Sequence, residues 1–278
     1  MMDPKHASVS RKKVVNALLY EQALARLGEI FTRKGLSPVI VKGQAIFDLS
    51  YPSNTVRQAS DVDLLVGDDE DEVIETLLNA GYLEHEALGR RFSCTLLGER
   101  IFTDARHELP PVEVHRFLDK IIMHRVDYRG ILARARPSSR PGLAYPSAED
   151  LLLLTILHAA CDANLQAGRT LDDLQNLVVH GRPEPAVILD RARQWKLRIA
   201  VQYWMSRLAS ERGVAFLSCS AGLRARLGPR LSDWLRPIVK PRGVGYFLHQ
   251  LAWHDNPATV AKALARYAVL RLRDRWSV

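Results

Sequence analysis

Between residues 12 and 34 (KKVVNALLYEQALARLGEIFTRK) apolar positions return every three to four residues and stop at Gly35. That pattern predicts a helix with a glycine C-cap. SPVIVKG follows, a β-branched run into a glycine turn, and predicts a short strand. QAIFDLSY predicts a short helix closed by Pro52 and Asn54. SDVDLLVG is the clearest strand: alternation puts Asp61, Asp63 and Leu65 on one face and Val62, Leu64 and Val66 on the other. DDEDEVIETLLNAGY predicts a helix whose acidic first turn suits the positive helix N-terminus and which ends at Gly81. RRFSCTLLG and ERIFTDAR predict a strand pair, and PPVEVHRFL a further alternating strand.

From about residue 147 the pattern becomes helical throughout. SAEDLLLLTILHAACDAN is long and apolar and opens on a capping-box arrangement, Ser147 followed by Asp150. TLDDLQNLVVH, PAVILDRARQWKLRIAVQYWMSRLASERG, an Arg-rich stretch to about residue 237 and PATVAKALARYAVLRLRDRW continue it. RARPSSRPGLAYP (133–146), rich in Pro, Ser and Arg, is the expected boundary. The expected organisation is a small mixed α/β domain with an N-terminal helix over 1–140 and an all-helical domain over 147–278.

Composition narrows this little. At 278 residues, 47% hydrophobic and 25% charged, the chain has the make-up of a globular protein rather than a disordered one. No apolar run is long enough for a membrane span, and the polar N-terminus lacks the apolar stretch of a secretory signal. Cys94, Cys161 and Cys219 form no CxxC pair, so neither a disulfide framework nor a cysteine zinc site is expected, and the expected compartment is a reducing cytoplasm. Charge changes the picture more. Residues 1–180 carry 21 Lys+Arg and 25 Asp+Glu, residues 181–278 carry 18 and 6, so the net +8 belongs to the C-terminal third. Such a third either steers an anionic partner or is a solvated Arg-rich surface.

The chemistry-bearing feature is Asp61-Val62-Asp63, with Glu113 on a later strand. Carboxylates at i and i+2 of one strand sit roughly 7 Å apart at Cα and lean to a common side. Like charges placed together call for a cation or a shared proton. Hard oxygens suit Mg²⁺ or Mn²⁺, and a third carboxylate would allow a two-metal clamp for displacement at phosphorus. A solvated strand edge is the alternative use of the same tripeptide.

The string VIVKGQAIFDLSYPSNTVRQASDVDLLV, then a helix to NAGY, then VEVHR, resembles the uncharacterised nucleotidyltransferase family of the polymerase-β-like superfamily. The resemblance covers residues 39–117 and continues weakly through LHAACDANLQAGRTLDDLQNL. It implies an α+β protein: a small mixed-sheet nucleotidyltransferase domain followed by an all-helical C-terminal domain. It further implies Mg²⁺- or Mn²⁺-dependent transfer of a nucleoside monophosphate from an NTP such as ATP to an acceptor hydroxyl. Asp61, Asp63 and Glu113 would then be catalytic and metal-binding, with Lys42, Gly43, Arg57 and Ser60 on the nucleotide side. The chain departs from the wider superfamily in one respect: Lys42-Gly43 stands where Gly-Ser usually holds triphosphate. That departure carries the alternative reading, a catalytically inactive module of the same fold that binds nucleotide or nucleic acid.

Other residues have two readings each. Arg57 would face phosphate or pair with the acidic cluster, and Ser60 would be a ligand or a strand-start residue. His115 shares Glu113's strand face and would orient it or touch substrate. His158 would be functional or a buried structural histidine. Arg169 would reach phosphate. Asp172, with Asp173, would cap a helix or hold the helical domain. Tyr51, Tyr82 and the five tryptophans read as packing residues first. The expected partners are an NTP and an acceptor that is a small molecule or a peptide or protein, with RNA a further option and no membrane.

Overall fold

The structure, a computed structural model, describes residues 4–52, 60–85, 98–119, 124–161, 167–217 and 244–275, with 225, 227, 228, 230, 231 and 234. These fall into two compact units. The first comprises 1–94, 98–118 and 128–147, and the second 95–97, 119–127 and 148–278.

The first unit is built on a seven-stranded mixed sheet in the order β3-β4-β5-β2-β1-β7-β6. Helix α1 (Pro4–Lys34) buries Tyr20, Ala23, Leu24, Leu27 and Phe31, the helical stripe read from the sequence. It ends at Gly35, whose φ of 71° is the left-handed C-cap conformation. Strand β1 (Val39–Ile40) leads into α2 (Lys42–Ser50). Strand β2 (Val62–Leu65) is buried along its whole length, so both faces of its alternation are covered, and no edge is left to solvent. Helix α3 (Glu70–Asn79) follows, then β3 (Tyr82–His85), β4 (Glu99–Asp104) and β5 (Val112–His115).

ERIFTDAR forms β4, and its neighbours among the described residues are β3 and β5, both antiparallel. Strand β3 was not expected, because Gly81 reads as a stop and only one residue of YLEH is fully buried, too few to show alternation. Residues 90–97 of RRFSCTLLG, the expected partner of ERIFTDAR, lie outside the described residues.

The stretch 133–146 carries two strands of the sheet, after a short helix α4 (Tyr128–Ala133). They are β6 (Arg136–Pro137) and β7 (Ala144–Tyr145), and β7 runs parallel to β1. Gly142, at φ 76°, turns this hairpin onto α1 so closely that a Cβ there would lie 2.3 Å from the Gly28 carbonyl oxygen. Arg140 fastens it, donating to Glu21 on α1 (2.9 and 2.7 Å), Asp48 on α2 (2.7 Å) and the Tyr145 hydroxyl (2.8 Å). Tyr145 in turn donates to Asp48.

The second unit is helical: α5 (Ala148–Cys161), α6 (Ala167–Asn176) running into a π-turn (Leu177–Gly181), α7 (Pro185–Gln194), α8 (Arg198–Arg212), α9 (Val244–Trp253) and α10 (Pro257–Arg275). Helix α5 is buried from Asp150 to Cys161 except at His158, as a helix apolar on all sides must be. Trp204, Trp253 and Tyr203 pack edge-on and stacked within 6.3 Å of one another. The run PAVILD…SERG, read as one helical pattern, breaks at Lys196, whose φ is 61°. Trp195 and Leu197, on either side of the break, are both buried. No described helix is long and apolar enough to cross a membrane.

Candidate active site

Strand pairing assembles the carboxylates. Strands β2 and β5 run parallel, with Asp63 beside Glu113 and Leu65 beside His115. Asp63 and His115 are buried, at 6% and 2% exposure. Strand β1 pairs antiparallel with β2, Ile40 opposite Leu64, and the Val41 N–H donates to the Asp63 carbonyl (3.0 Å). This puts Lys42, the next residue, at the carboxylates.

Lys42 enters α2 at φ 54°, a left-handed conformation that non-glycine residues rarely hold. Its ammonium sits 2.5 Å from Asp63 Oδ1, 3.5 Å from Glu113 Oε2 and 3.3 Å from His115 Nε2. His115 Nε2 also lies 2.9 Å from Asp63 Oδ1 and 3.4 Å from Glu113 Oε2. Two cationic or polar donors thus converge on two acids. The family resemblance implies a phosphate-facing charge at Lys42; in the structure its ammonium is directed to the acids.

The electrostatics follow from this packing. Burial alone would raise Asp63, but the Lys42 ammonium and the His115 hydrogen bond hold it well below the usual carboxylate range. Burial lowers Lys42, yet the charges of Asp63 and Glu113 carry it above its ordinary value. Burial and the Lys42 charge lower His115, and its bonds to Asp63 and Glu113 more than offset them, leaving it raised. Asp61 behaves differently. Burial, then the charges of Asp63 and Glu113, push it up to about 6, against lowering by the Ser60 hydroxyl and Lys42. Asp61 lies just before β2 and accepts a 3.0 Å bond from Ser60 Oγ. Three carboxylates therefore share one lysine.

The match of residues 6–211 to the profile described as "Uncharacterised nucleotidyltransferase" covers well over half of the sequence. The chain belongs to that family. Two solved structures are similar to this nucleotidyltransferase-family protein. One is the Megavirus polyadenylate synthase, with 10% identity and a TM-score of 0.42 over 85% of this chain and 56% of that one. The other is JHP933 from Helicobacter pylori, with 15% identity and a TM-score of 0.38 over 93% of this chain and 97% of that one. This family member thus spans little more than half the length of the polyadenylate synthase. Among curated proteins, none matches the sequence.

The remaining expected site residues of this nucleotidyltransferase-family chain are placed as follows. Gly43 is half-buried in the first turn of α2, where no side chain caps the helix. Arg57 lies outside the described residues. In the helical unit, His158 is the exposed residue of α5 and so is not a buried structural histidine. Arg169 is exposed, and Asp172 is exposed in an ion pair with Arg212 (2.7 Å). Tyr82 is a core residue, 1% exposed, with Arg26 over its ring at 5.1 Å.

One neighbour of the site was missed. Tyr20 on α1 is buried, and its hydroxyl is raised well above its ordinary value by burial and then by the charges of Asp63 and Asp61. Nothing local in YEQAL marks it; its proximity to the acids comes from packing α1 on the sheet.

Proposed function

We propose that Asp61, Asp63 and Glu113 hold a divalent cation, Mg²⁺ or Mn²⁺, and that the protein transfers a nucleoside monophosphate from an NTP to an acceptor hydroxyl. The observation that carries this is the excess of carboxylate at one point. Asp63 and Glu113 both meet Lys42, and Asp61 beside them is pushed up to about 6 by its burial and then by the charges of these two acids. All-oxygen donors of this kind fit a hard cation. When bound, the cation supplies neutralisation of the triphosphate and of the charge that develops during transfer.

The chain's own residues then have separate tasks. Glu113, less deeply buried than Asp63, accepts the proton of the attacking hydroxyl. The hydroxyl oxygen forms a bond to the α-phosphorus while the bond to the β-phosphate bridging oxygen breaks, and pyrophosphate leaves. His115 keeps Asp63 oriented through its 2.9 Å contact. With a cation held by the acids, the Lys42 ammonium would be available to the triphosphate, and Gly43 and the uncapped start of α2 offer backbone N–H groups beside it. Ser60 steadies Asp61, and Arg57 adds a positive charge. The acceptor class stays as the sequence framed it, a small molecule, peptide or protein before RNA. The decisive experiment mixes protein, Mg²⁺, each NTP and an acceptor panel and follows pyrophosphate. An Asp61→Ala, Asp63→Ala double variant that turns over normally would sink the proposal.

A second reading is favoured by one observation, the seating of Lys42 among the acids. If the ammonium is the permanent counter-ion there, the protein binds nucleotide without chemistry. Lys42→Met separates the two. A cation site that Lys42 shares should bind Mn²⁺ about tenfold more tightly in calorimetry once the competing ammonium is gone. Thermal stabilisation by NTP with no turnover, and unchanged Mn²⁺ binding in Lys42→Met, favours the binding module.

A further inference from the structure

The acids of the α/β unit share their focus with a nitrogen atom. His115 Nε2, Asp63 and Glu113 each offer one donor atom, and the three lie within 4.8 Å of one another. The ring nitrogen is 2.9 Å from Asp63 Oδ1 and 3.4 Å from Glu113 Oε2. Two neighbouring strands build this. Glu113 and His115, at i and i+2 of β5, share one face, and the parallel register sets Asp63 of β2 beside Glu113. His115 and Asp63 are buried, so packing of the sheet fixes two of the three donors.

A second observation marks what the donors can hold. The Lys42 ammonium contacts all three, at 2.5 Å from Asp63 Oδ1, 3.3 Å from His115 Nε2 and 3.5 Å from Glu113 Oε2. The point on which they converge is therefore already the seat of a positive charge, supplied by a side chain. The spacing suits a bare ion as well. Around an octahedral ion with bonds of about 2.1 Å, donors at right angles stand roughly 3.0 Å apart. The separations from Nε2, 2.9 and 3.4 Å, are close to this.

We propose that His115 Nε2 is itself a metal ligand, joining Asp63 and Glu113 in a mixed nitrogen–oxygen site that favours first-row transition ions such as Mn²⁺ over Mg²⁺. This rests on the nucleotidyl-transfer reading in so far as that reading puts a divalent cation at these acids. The acids alone would suit Mg²⁺ and Mn²⁺ alike, and the nitrogen changes that. Mg²⁺ takes carboxylates, phosphates and water and demands oxygen, whereas imidazole suits transition ions. Coordination uses the Nε2 lone pair. The ion therefore takes the place of the Lys42 ammonium and of any proton on Nε2, which leaves to solvent, while the ring keeps its proton on Nδ1. Charge agrees, since one divalent ion offsets the two carboxylates around a neutral imidazole. This differs from merely orienting Asp63: an orienting histidine stays outside the ion's coordination sphere, and a ligand lies within it.

Pulsed EPR of the full-length protein with about one equivalent of Mn²⁺ tests this, because it reads nitrogen nuclei bound to the ion. The wild-type spectrum should carry a nitrogen coupling that changes isotope pattern in protein made with ¹⁵N-labelled histidine. The coupling should vanish in His115→Gln, whose amide ligates through oxygen. Calorimetry should find Mn²⁺ bound at least about tenfold more weakly by His115→Gln, with Mg²⁺ affinity changed by less than about threefold. Bound Mn²⁺ without nitrogen coupling in the wild type overturns the ligand assignment and leaves the transfer reading standing. A coupling that survives in His115→Gln also overturns it, because the ion then sits at another histidine. No Mn²⁺ binding by either method sinks the transfer reading together with the assignment. Should His115→Gln fail to fold, Asp63→Asn takes its place: affinity for the nitrogen-coupled Mn²⁺ must fall at least about tenfold there, and an unchanged value overturns the proposal.

Discussion

The two units bury charge in opposite ways. In the helical unit the buried carboxylate of Asp150, 0% exposed, meets the Arg191 guanidinium at 2.8 Å. Two of its other arginines make surface pairs, Arg212 with Asp172 and Arg207 with Glu211, the latter guanidinium lying over Trp204 at 5.4 Å. In the α/β unit two carboxylates, Asp63 and Glu113, meet one lysine, and their charges, after burial, raise a third, Asp61. A balanced pair holds a fold together, whereas an unbalanced cluster is held together by the fold and stays receptive to a further cation. The difference teaches that net charge pointed at the wrong place. The +12 third accounts for the overall basicity, but the receptive electrostatics sit in the part that is net −4.

The sharpest way to break the comparison is the Asp61→Ala, Asp63→Ala double variant. It should lower turnover by at least about 10²–10³-fold while leaving the helical unit folded, as circular dichroism would show. A large loss of helicity instead would mean that the acids serve the fold. Next is Asp150→Ala, which leaves the Arg191 guanidinium facing an apolar core. It should cost about 2–3 kcal/mol in denaturant melts and leave NTP affinity of the folded protein unchanged. Asp61→Asn probes the imbalance itself. With a folded value of about 6 against an ordinary 3.8, Asp61 holds its proton more tightly in the folded protein. Its contribution to stability is full below about pH 4 and is lost as pH rises to about 6. In chelator, wild-type stability should therefore fall by about 1–2 kcal/mol more than that of Asp61→Asn across this window, the exposed part of the side chain reducing the full effect. The smallest effect belongs to Glu211→Gln, which should move stability by less than about 0.5 kcal/mol despite its two bonds to Arg207.

Much of the fold was legible along the chain. Helices α1, α3, α5 and α10 and strands β2 and β5 show their period within one segment, and the acidic opening of α3 is a local signal. The elements that escaped are those whose partners lie far away. Strand β3 has one fully buried residue, so only its ladder with β4 defines it. The hairpin of 133–146 reads as punctuation because its Pro, Ser and Gly mark turns, and it becomes part of the sheet through β1 and the Arg140 contacts. Lys196, at φ 61°, breaks a helical pattern that is unbroken in periodicity, and the residues on either side of it, Trp195 and Leu197, are both buried.

The candidate site divides in the same way. Asp61, Asp63, Glu113 and His115 could be named from residue type and alternation, because a strand places i and i+2 on one face without help from elsewhere. Which acid faces which, and that Lys42 turns into them, required the parallel register of β2 with β5 and the antiparallel register of β1 with β2. Residues drawn from separate segments leave no spacing signal in the sequence. Sequence by itself determined the periodic elements, the family motifs and the acids, since those depend on neighbours a few residues apart. Tertiary structure alone decided the pairings between distant segments, because burial and register are properties of the packed chain.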